Sequence, residues 1–317
     1  MRALVTGGAG FIGSNLVRGL LERGEEVRVL DNFSTGKREN LAGILAEAEL
    51  VEGDLRRPDQ VRAATRGVEL VFHHGARPSV PLSLRDPVTT SSVNVEGTRN
   101  VLAAARGEDV RRVVLASSSS IYGNSGALPR CESDRPDLLS PYASSKLLAE
   151  RLAVEAGASG SPDTVMLRYF NVFGPNQDHL SPYAAVIPRF ICALAAGEPV
   201  PVHGDGAQLR DFTYVADVVD ANLLAAEAAG VNGEVLNVAG GRPLTINALA
   251  QLIGEVLDRP VERRHLPVRP AEVRDSWADI EKAGRLLGYR PRVTLEHGVR
   301  ATAHALLGEA VGAAGAR

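Results

Sequence analysis

The 317-residue chain has few cysteines, almost no excess of either charge and no long apolar run. Its two cysteines, Cys131 and Cys192, lie far apart without the spacing of metal ligands, so we expect two inert thiols and no metal site. A disulfide or a redox pair between them is the less favoured alternative. Thirty-five basic and 38 acidic residues leave a net charge of −3, which argues against a nucleic-acid partner.

Segments that would direct the chain to or across a membrane are also lacking. No apolar run approaches the roughly 18 residues that span a bilayer. The amino-terminal MRALVTGGAGFIG is apolar but broken by glycines, which is untypical of a signal peptide. We therefore expect a soluble, cytoplasmic protein. Its 44% hydrophobic and 23% charged residues are typical of a globular fold.

Short apolar runs alternate with helix-length amphipathic segments in the first half of the chain. The predicted strands cover residues 2–6, 26–30, 48–52, 70–73, 112–116 and 164–168. The predicted helices cover residues 11–23, 90–105 and 141–156, with a short helix beginning at 61–65. This alternation predicts an α/β fold with a doubly wound parallel sheet of the Rossmann type.

The regular alternation weakens after about residue 175. Loops rich in proline and glycine, at 174–183 and 197–206, separate shorter elements there. We predict one domain over residues 1–175 and a smaller α/β lobe over 176–317, with the chain crossing back to the sheet. The final residues, 303–317, are expected to form a helix that frays into a disordered tail.

The first loop between a strand and a helix is rich in glycine. The segment Gly7-Gly8-Ala9-Gly10-Phe11-Ile12-Gly13 follows the first predicted strand and opens the first helix. In such a motif one glycine allows a tight turn, the next lets the backbone approach a pyrophosphate, and the third permits close packing of helix and strand. The helix N-terminus offers unpaired N–H groups to the phosphates. The pattern predicts a dinucleotide site in the first domain.

Two aspartates follow the next strands of the predicted sheet. Asp31 ends the second strand, 18 residues after Gly13, where a carboxylate can accept hydrogen bonds from the adenosine ribose and would repel a 2′-phosphate. NAD is therefore favoured over NADP, although Lys37 and Arg38 nearby weaken that preference. Asp54 follows the third strand, within reach of the adenine. The alternatives are a turn or helix cap for Asp31 and a helix cap for Asp54.

A tyrosine and a lysine in SPYASSKLLAE share one face of a predicted helix. Tyr142 and Lys146 have i, i+4 spacing, and an ammonium near a phenol lowers the pKa of the tyrosine so that it can act as a base. The serines of ASSSSIYG, at residues 116–123, follow a strand that ends at the same edge of the sheet. The pattern predicts a catalytic site in the first domain; the alternative is a solvated helix face.

These motifs together resemble the extended short-chain dehydrogenases/reductases that act on nucleotide sugars. The resemblance is strongest to NAD-dependent UDP-glucose 4-epimerases and their UDP-N-acetylglucosamine relatives. Further matching motifs occur along nearly the whole chain: HHGA at 73–76, NVEGT at 94–98, LRYFN at 167–171, GDG at 204–206, RDF at 210–212 and RPAE at 269–272. Several motifs in the expected order are more specific than any one of them.

The resemblance implies a mechanism for the predicted catalytic residues. Tyr142 would remove the proton of the sugar 4-hydroxyl, Ser118 would hydrogen-bond that oxygen, and Lys146 would bind the nicotinamide ribose and lower the pKa of the tyrosine. Hydride would pass from C4 to NAD, and the resulting 4-keto sugar would turn about its bond to the diphosphate. Return of the hydride to the other face inverts the C4 hydroxyl. The cofactor must stay bound because no net oxidation occurs.

The resemblance also implies the residues of each binding site. The cofactor site would comprise Gly7, Gly10, Phe11, Ile12, Asp31, Asn32, Ser34, Gly36, Asp54, Leu55, His74, Gly75, Ala76, Asn94, Ser117, Tyr142, Lys146, Tyr169 and Val172. The substrate site would comprise Ser118, Ser119, Ser120, Tyr142, Asn171, Val186, Val202, His203, Arg210, Arg269, Glu272 and Ser276.

Three of these residues are candidates for holding the diphosphate, namely Asn171, Arg210 and Arg269, since a guanidinium group suits bidentate phosphate contact. The alternative for Arg210 is a surface salt bridge with Asp211 or Asp217. Val202 and His203 would lie against the uracil, with a packed structural histidine as the alternative. Glu272 would bind the uridine ribose, although the family more often has Arg-x-Gly-Asp at this motif.

Two serines stand where related enzymes carry an acid. Dehydratases of the family usually have Asp-Glu just before the equivalent of Ile121, and decarboxylases have a Glu there, whereas this chain has Ser119 and Ser120. Elimination then lacks its proton donor, so epimerisation is favoured. Ser276 is small, and residues 176–189 resemble the branch that tolerates N-acetyl groups. We therefore expect a permissive pocket for UDP-glucose, UDP-galactose and their N-acetyl analogues.

Some alternatives stay open in the sequence. Uronate epimerases often have an arginine in the loop after the fourth strand; Arg77 is nearby, but Pro81 occupies the expected position, so UDP-glucuronate ranks lower. Helices 90–105 and 141–156 would form a four-helix homodimer interface, or else be buried within the monomer. The rival functions are an NAD-sensing regulator and a sugar reductase that releases its cofactor. The sequence does not decide between UDP and dTDP.

Overall fold

The computed structural model describes residues 1–179, 185–268 and 273–308. The elements up to the sixth strand are β1 (Arg2–Thr6), α1 (Phe11–Glu22), β2 (Glu26–Asp31), β3 (Ala48–Glu52), α2 (Pro58–Thr65), β4 (Leu70–His73), α3 (Val80–Arg85), α4 (Pro87–Ser91), α5 (Gly97–Gly107), β5 (Arg112–Ser118), α6 (Pro141–Ala158) and β6 (Asp163–Tyr169). They are followed by β7 (Val172–Phe173), α7 (Val186–Ala195), β8 (Val200–His203), β9 (Leu209–Arg210), β10 (Thr213–Tyr214), α8 (Val215–Glu227), β11 (Glu234–Val238), β12 (Leu244–Thr245), α9 (Ile246–Leu257), β13 (Arg263–Leu266), α10 (Glu281–Leu287) and α11 (Leu295–Leu307).

A seven-stranded sheet in the order β11-β6-β5-β4-β1-β2-β3 forms the centre of the fold. All of its neighbouring strands are parallel. The strand order reverses between β1 and β4, and ligands of such folds bind in the crevice at the carboxyl ends of the strands beside this point. The predicted doubly wound α/β fold is confirmed.

The strands are apolar throughout because helices cover both faces of the sheet. In β1 the buried Val5 belongs to the core on one face, with α1, α8 and α10, while its neighbour Leu4 belongs to the core on the other face, with α2, α5 and α6. A third core lies in the smaller lobe, where α7, α9 and α11 pack with β8. Both cysteines are free thiols, and burial raises the pKa of each.

The second half of the chain contributes to both parts of the molecule. β11 pairs with β6 at the edge of the main sheet, and α8 packs against α1. The remaining elements after residue 185 mostly belong to the smaller lobe. The division at residue 175 therefore stays a prediction, with the chain returning once to the sheet.

The helix predicted over 90–105 is interrupted. α4 ends at Ser91, a π-helical turn follows at Ser92–Glu96, and α5 begins at Gly97. Inside the turn, the side chain of Asn94 accepts a hydrogen bond from the Arg77 amide at 2.7 Å and donates to the Ser145 hydroxyl at 2.9 Å. These contacts outside the helix accompany the wider turn, a feature that is frequent at functional sites.

Other boundaries differ by a few residues. β5 continues two residues past its predicted end, so Ser117 and Ser118 belong to the strand, and a 3₁₀ turn follows at Ser119–Tyr122. The loop predicted at 197–206 contains β8, which pairs in parallel with β13. The tail predicted at the carboxyl end lies mostly outside the described residues, as do residues 180–183 of the first predicted loop.

Candidate active site

The glycine loop joins β1 to α1 at the crevice. Gly7 has φ +68°, and a Cβ there would lie 2.6 Å from the Gly75 amide nitrogen in the loop after β4. A Cβ on Gly13 would collide with the carbonyl oxygen of Gly7. The N-cap of α1 is Gly10, with no side-chain cap, so the first N–H groups of the helix are free of side-chain competition for an anion.

Asp31 connects the end of β2 to the glycine loop. Its carboxylate accepts hydrogen bonds from the amides of Ala9 at 2.9 Å and Phe33 at 2.8 Å, and burial raises its pKa. The turn contact proposed as an alternative is therefore present alongside the bond to the loop. Gly36 also packs against this loop, since a Cβ there would lie 2.9 Å from the carbonyl carbon of Ala9.

The two basic residues beside Asp31 are paired with carboxylates. Lys37 Nζ lies 2.9 Å from Asp178 Oδ1, and Arg38 forms an ion pair with Glu52. Both cations thus have a carboxylate partner within the protein. Their presence is therefore no longer a reason to doubt that the site prefers NAD to NADP. The paired charges and the Asp31 carboxylate together disfavour a ribose 2′-phosphate.

Asp54 belongs to a small polar cluster at the end of β3. It accepts from Asn32 Nδ2 at 3.1 Å and from Arg56 Nη2 at 2.5 Å, and Arg56 lowers the pKa of Asp54 to about 2. The N-cap of α2 is Arg57, so Asp54 is not a helix cap. Asn32 in turn accepts from the amide of Ser34 at 3.1 Å. The contribution of Arg56 to this polar cluster was not predicted from the sequence.

Helix α6 presents Tyr142 and Lys146 to the crevice. Its N-cap, Ser140, accepts a bond from the Ala143 amide at 3.2 Å. Lys146 is buried, and its Nζ donates to the Ala116 carbonyl at 2.8 Å. Burial lowers the pKa of Lys146 to about 8, with Glu150 opposing the shift.

Burial raises the pKa of Tyr142, although a hydrogen bond with Ser118 opposes this effect. The sequence led us to expect the reverse, a pKa lowered by Lys146. The physical reason is that the phenolate loses its hydration, while the ammonium of Lys146 is directed to the Ala116 carbonyl. A lowering of the Tyr142 pKa by Lys146 therefore stays a prediction.

Some serines of the serine run bond other protein groups, and some line the cavity. Ser117 donates to Glu150 Oε1 at 2.5 Å, although we had expected it at the cofactor. Ser118 accepts from the Ser120 amide at 3.2 Å, and its hydroxyl lowers the pKa of Tyr142 against the effect of burial. The buried Ser120 hydroxyl has no hydrogen-bond partner among the described residues.

The loop after β4 and the end of β6 form the wall next to the glycine loop. His74 Nε2 lies 3.0 Å from the Tyr169 hydroxyl, and their rings stack with centroids 6.0 Å apart. Gly75 donates from its amide to Thr6 at 3.1 Å, while Leu55 is buried in the core beneath. Ala76 continues this loop towards Arg77.

Two adjoining cavities open beside these residues. The larger, of about 890 Å³, has a wall containing the predicted residues Ile12, Ser117, Ser118, Ser119, Ser120, Tyr142, Tyr169, Asn171, Val172, His203, Arg210 and Ser276. The smaller, of about 220 Å³, lies in the second lobe and includes the predicted Val186. Asn171, Val172, His203 and Arg210 line both, so Ser118 and Tyr142 share one continuous space with most of the predicted substrate residues.

One predicted substrate residue lies away from the cavities, and two others are not described by the structure. Val202 is fully buried in the core of the second lobe, because alternate residues of β8 face that core, so its side chain does not contact either cavity. Arg269 and Glu272 lie outside the described residues. His203 lines both cavities, although its Nδ1 also contacts the Pro267 carbonyl at 2.8 Å.

Arg210 and Asn171 are held at the junction of the cavities. Arg210 donates to the carbonyls of Val273 at 2.8 Å and Arg274 at 2.6 Å. Asn171 has φ +36° and donates to the Asp211 carbonyl at 2.8 Å, with the Ser276 hydroxyl at 3.5 Å. Residues other than glycine in the left-handed conformation are often found at ligand sites, where the backbone carries local strain.

A scan against protein families matches residues 3–239 to the NAD dependent epimerase/dehydratase family. The UDP-glucose 4-epimerase of Mycolicibacterium smegmatis is 37% identical over 310 residues, which cover 95% of this chain and 97% of the relative. The chain belongs to this family. The UDP-N-acetyl-alpha-D-glucosaminuronate decarboxylase of Bacillus cytotoxicus is 33% identical, with 95% of this chain and 96% of the relative covered.

Solved structures of this epimerase/dehydratase family have the same fold. A UDP-N-acetylglucosamine 4-epimerase from Methanobrevibacter ruminantium, in complex with UDP-N-acetylmuramic acid, has a TM-score of 0.91 and 37% identity, covering 96% of this chain and 97% of the other. A UDP-glucuronic acid 4-epimerase from Bacillus cereus, with UDP-glucuronic acid and NAD, has a TM-score of 0.89 and 30% identity, covering 96% and 99%. The resemblance drawn from the motifs is confirmed.

The residues present fit NAD, the cofactor of the epimerase/dehydratase family. The close approaches at Gly7 and Gly13 need glycine, and the uncapped start of α1 suits a pyrophosphate. Asp31 stands where a ribose would be bound, and neighbouring cations are already paired. Across the described ranges, no cluster of three or more His, Cys, Asp or Glu could hold a metal ion. Within the same part of the chain, none of the helices is both long and apolar enough for a membrane span.

Several cavity residues of this family member were not predicted from the sequence. Arg189 on α7 lines both cavities, and the apolar side of the larger one includes Pro78, Val80 and Leu84. Arg85, at the end of α3, also lines the larger cavity. In the sequence, Arg189 stands out as a cation inside the apolar segment VIPRFI. The apolar side of the larger cavity corresponds to the proline-rich segment RPSVPL after β4.

Proposed function

We propose that the chain is an NAD-dependent epimerase that inverts the C4 hydroxyl of a UDP-hexose through a transient 4-keto sugar. The observation that carries the proposal is that Ser118 and Tyr142 line the same 890 Å³ cavity, whose wall also contains Ile12 at the start of the helix that follows the glycine loop. A paired hydroxyl and phenol at this edge can exchange a proton with one sugar oxygen.

Each catalytic residue has a distinct part in the proposed reaction. Tyr142 accepts the proton of the 4-hydroxyl, Ser118 holds the same oxygen, and the charge of Lys146 on the same helix face reduces the cost of forming the phenolate. NAD, when bound, supplies a reversible two-electron acceptor for C4. The proton returns from Tyr142 to the 4-oxygen at the end of the cycle.

The two cavities suit a substrate held firmly at one end. Arg189, Arg210 and Asn171 line both spaces, which suits a diphosphate at the junction. The nucleobase would lie in the smaller cavity and the hexose in the larger. Hydroxyl groups on one side of the larger cavity and apolar side chains on the other leave the sugar weakly held, so the 4-keto form can turn to present its other face.

The residues around the hexose favour epimerisation over elimination and a broad choice of sugar. Ser119 and Ser120 line the cavity where an acid would be required to protonate a leaving hydroxyl. Ser276 is small and is only 7% exposed at the cavity wall. We therefore propose UDP-glucose, UDP-galactose and their 2-acetamido analogues as substrates.

One observation favours a second candidate substrate, UDP-glucuronate. Arg77, the cation considered from the sequence, pairs with Asp86 at 2.6 Å, whereas Arg85 lines the larger cavity beside the serine run. A guanidinium group there could meet a C6 carboxylate. The B. cereus UDP-glucuronic acid 4-epimerase is among the structural neighbours, so this substrate belongs in any assay.

The test is to incubate the protein with a panel of nucleotide sugars and resolve the C4 epimers by ¹H NMR. The panel contains UDP-glucose, UDP-N-acetylglucosamine, UDP-glucuronate and dTDP-glucose. We expect interconversion of UDP-glucose with UDP-galactose without added cofactor, which also distinguishes an epimerase from a reductase that releases NAD. Absence of C4 inversion with every sugar would contradict the proposal and favour an NAD-sensing regulator.

We also propose a cytoplasmic homodimer formed through α5, α6 and the segment before α5. The outer face of α6 carries Leu148 and Val154, which are 45% and 40% exposed, and Val88 on α4 is 77% exposed. Exposed apolar side chains on neighbouring helices are typical of a surface that is covered in an assembly. The inner face of α6 packs on β5 and β6, so both of its faces would then be buried.

A further inference from the structure

A buried carboxylate lies behind the catalytic residues on α6. Glu150 follows Lys146 by one helical turn and Tyr142 by two, so the three side chains share a face. The Glu150 side chain is 4% exposed and accepts two bonds of 2.8 Å from Arg168, whose side chain is 6% exposed. Its Oε1 also accepts the Ser117 hydroxyl at 2.5 Å.

The ion pair is part of a network beneath the serine run. Arg168 Nη1 donates to the Tyr122 hydroxyl at 2.9 Å, and Tyr122 donates to Asn237 Oδ1 at 2.6 Å. Glu150 therefore connects α6 to β5 through Ser117 and to β6 through Arg168, and the chain of bonds continues to β11. The end of β5 that carries Ser118 is fixed from behind by these contacts.

Glu150 is the anionic group that acts on Lys146. His73, which ends β4, is buried, and His74, which follows it, is half-buried; burial first and the charge of Lys146 second lower the pKa of each to about 3, so both are neutral near pH 7. Burial alone would depress the pKa of Lys146 further, and Glu150 opposes it.

The other charged groups around α6 have partners of their own. Arg168 on β6 is paired with Glu150 and also contacts Tyr122 in the 3₁₀ turn. Near the helices packed against α6, Arg77 pairs with Asp86 and Arg99 with Glu96. A buried ion pair adds little stability compared with apolar residues of similar volume. Its position next to the catalytic lysine therefore indicates an electrostatic role.

We propose that Glu150 is a positioning residue of the epimerase site, whose carboxylate keeps Lys146 protonated and holds the end of β5 beneath Ser118 and Tyr142. This inference rests on the proposed function, in which the charge of Lys146 supports ionisation of Tyr142. It does not require Glu150 to touch substrate or cofactor.

The composition of the chain permits a direct test. It has three lysines, Lys37, Lys146 and Lys282. Protein labelled with ¹³C-lysine, free of added substrate, is titrated by NMR, and the Cε shift of Lys146 is followed against pH with the exposed Lys37 and the half-buried Lys282 as internal references. The Lys146 signal is assigned by its loss in Lys146→Met.

The charge of Glu150 is then varied while its shape is kept. In Glu150→Gln we expect the midpoint of the Lys146 titration to fall by about one pH unit, a tenfold change in the protonation ratio. Because this variant leaves Arg168 buried without its anion, Glu150→Gln/Arg168→Met is titrated beside it and should show the same direction of change. Glu150→Asp should keep the wild-type midpoint.

A matched control separates charge from hydrogen bonding. Ser117→Ala removes the bond to Glu150 but no charge, so its Lys146 midpoint should equal that of the wild type. In the turnover assay, Glu150→Gln should lose kcat about fivefold more at pH 8 than at pH 6, with KM nearly unchanged, because the protonated fraction of Lys146 falls about fivefold at pH 8 and hardly at all at pH 6. An unmoved Lys146 midpoint in both Glu150→Gln variants would overturn the inference. The titration needs no turnover, so its result is independent of whether the epimerase proposal holds.

Discussion

The ammonium nitrogen of Lys146 lies 2.8 Å from the carbonyl oxygen of Ala116. The lysine thereby fixes helix α6 to the strand that carries Ser118, and Tyr142 is placed one helical turn earlier on the same face. In this arrangement burial raises the pKa of Tyr142, and the Ser118 hydrogen bond opposes it. The pKa of Tyr142 therefore depends on its burial and on Ser118, and not on a lysine–tyrosine contact alone.

The neutral histidine at the end of β4 should make the protein sensitive to acid. His73 contacts Thr6 at 2.7 Å and Thr98 at 2.9 Å, and burial lowers its pKa from 6.5 to about 3. Between these pH values only the unfolded chain binds the proton. The free energy of unfolding should then fall by about 1.4 kcal/mol for each pH unit below 6.5, owing to His73 alone.

Urea unfolding at pH 7.5 and pH 5 measures this effect when the wild type is compared with His73→Gln. The comparison is needed because Asp211, whose pKa is raised by burial to about 6, contributes with the opposite sign below that pH. The loss of stability on acidification should be smaller in His73→Gln. An equal loss in both proteins would show that His73 is protonated in the folded state.

The width of the hexose site should depend on Ser276. Its hydroxyl lies 3.5 Å from Asn171 Nδ2, and its backbone is fixed by bonds with Leu209 and Asp211. In Ser276→Tyr a ring would fill part of the cavity, and overpacking of this kind costs about 1–3 kcal/mol. We expect kcat/KM for UDP-N-acetylglucosamine to fall about tenfold or more relative to that for UDP-glucose. Ser276→Ala is the control; if the ratio is unchanged in Ser276→Tyr, the 2-substituent lies elsewhere.

The choice of cofactor should depend on paired charges as well as on Asp31. Asp31→Ser should weaken NAD binding by about tenfold, since a hydrogen bond to a charged group contributes about 1.5–3 kcal/mol. It should not by itself create NADP binding, because Arg38 stays paired with Glu52. Asp31→Ser/Glu52→Gln releases that arginine and should gain NADP affinity, measured by calorimetry on cofactor-depleted protein. Equal NADP affinity in the single and double variants would show that Arg38 does not reach the ribose.

The proposed dimer should depend on the outer face of α6. Leu148→Arg places a charge in the middle of the expected interface and should convert the dimer to a monomer in multi-angle light scattering. Leu45→Arg, at a residue that is 43% exposed away from these helices, is the control and should leave the mass unchanged. A wild-type mass of one chain would contradict the dimer directly.

Much of the fold could be predicted because its signals are local. The glycine loop, the apolar strands, the aspartate that ends β2 and the aspartate that follows β3 each depend on a few neighbouring residues. The interruption of the helix at Asn94 could not be predicted, because it accompanies bonds to Arg77 and Ser145, which are distant in sequence.

The errors in the predicted site residues likewise come from features of the folded chain that a local sequence pattern does not contain. Val202 and His203 are adjacent in a motif, but the alternation of β8 places only the second at the cavities. Arg189 enters the site through the packing of α7; the cation inside the apolar VIPRFI marks it as unusual but does not show which cavity it would line. The pKa of Tyr142 depends on burial, a property of the folded chain that i, i+4 spacing does not contain.

The phenol of Tyr142 is the proposed base of the C4 epimerisation. The most direct measurement is the rate at which Tyr142→Phe converts UDP-glucose to UDP-galactose by ¹H NMR, with bound NAD quantified by absorbance. We predict a loss of about 10²–10⁴-fold in kcat, typical of removing a general base, with NAD content equal to that of the wild type. A variant that keeps wild-type turnover while holding the same amount of NAD would contradict the account.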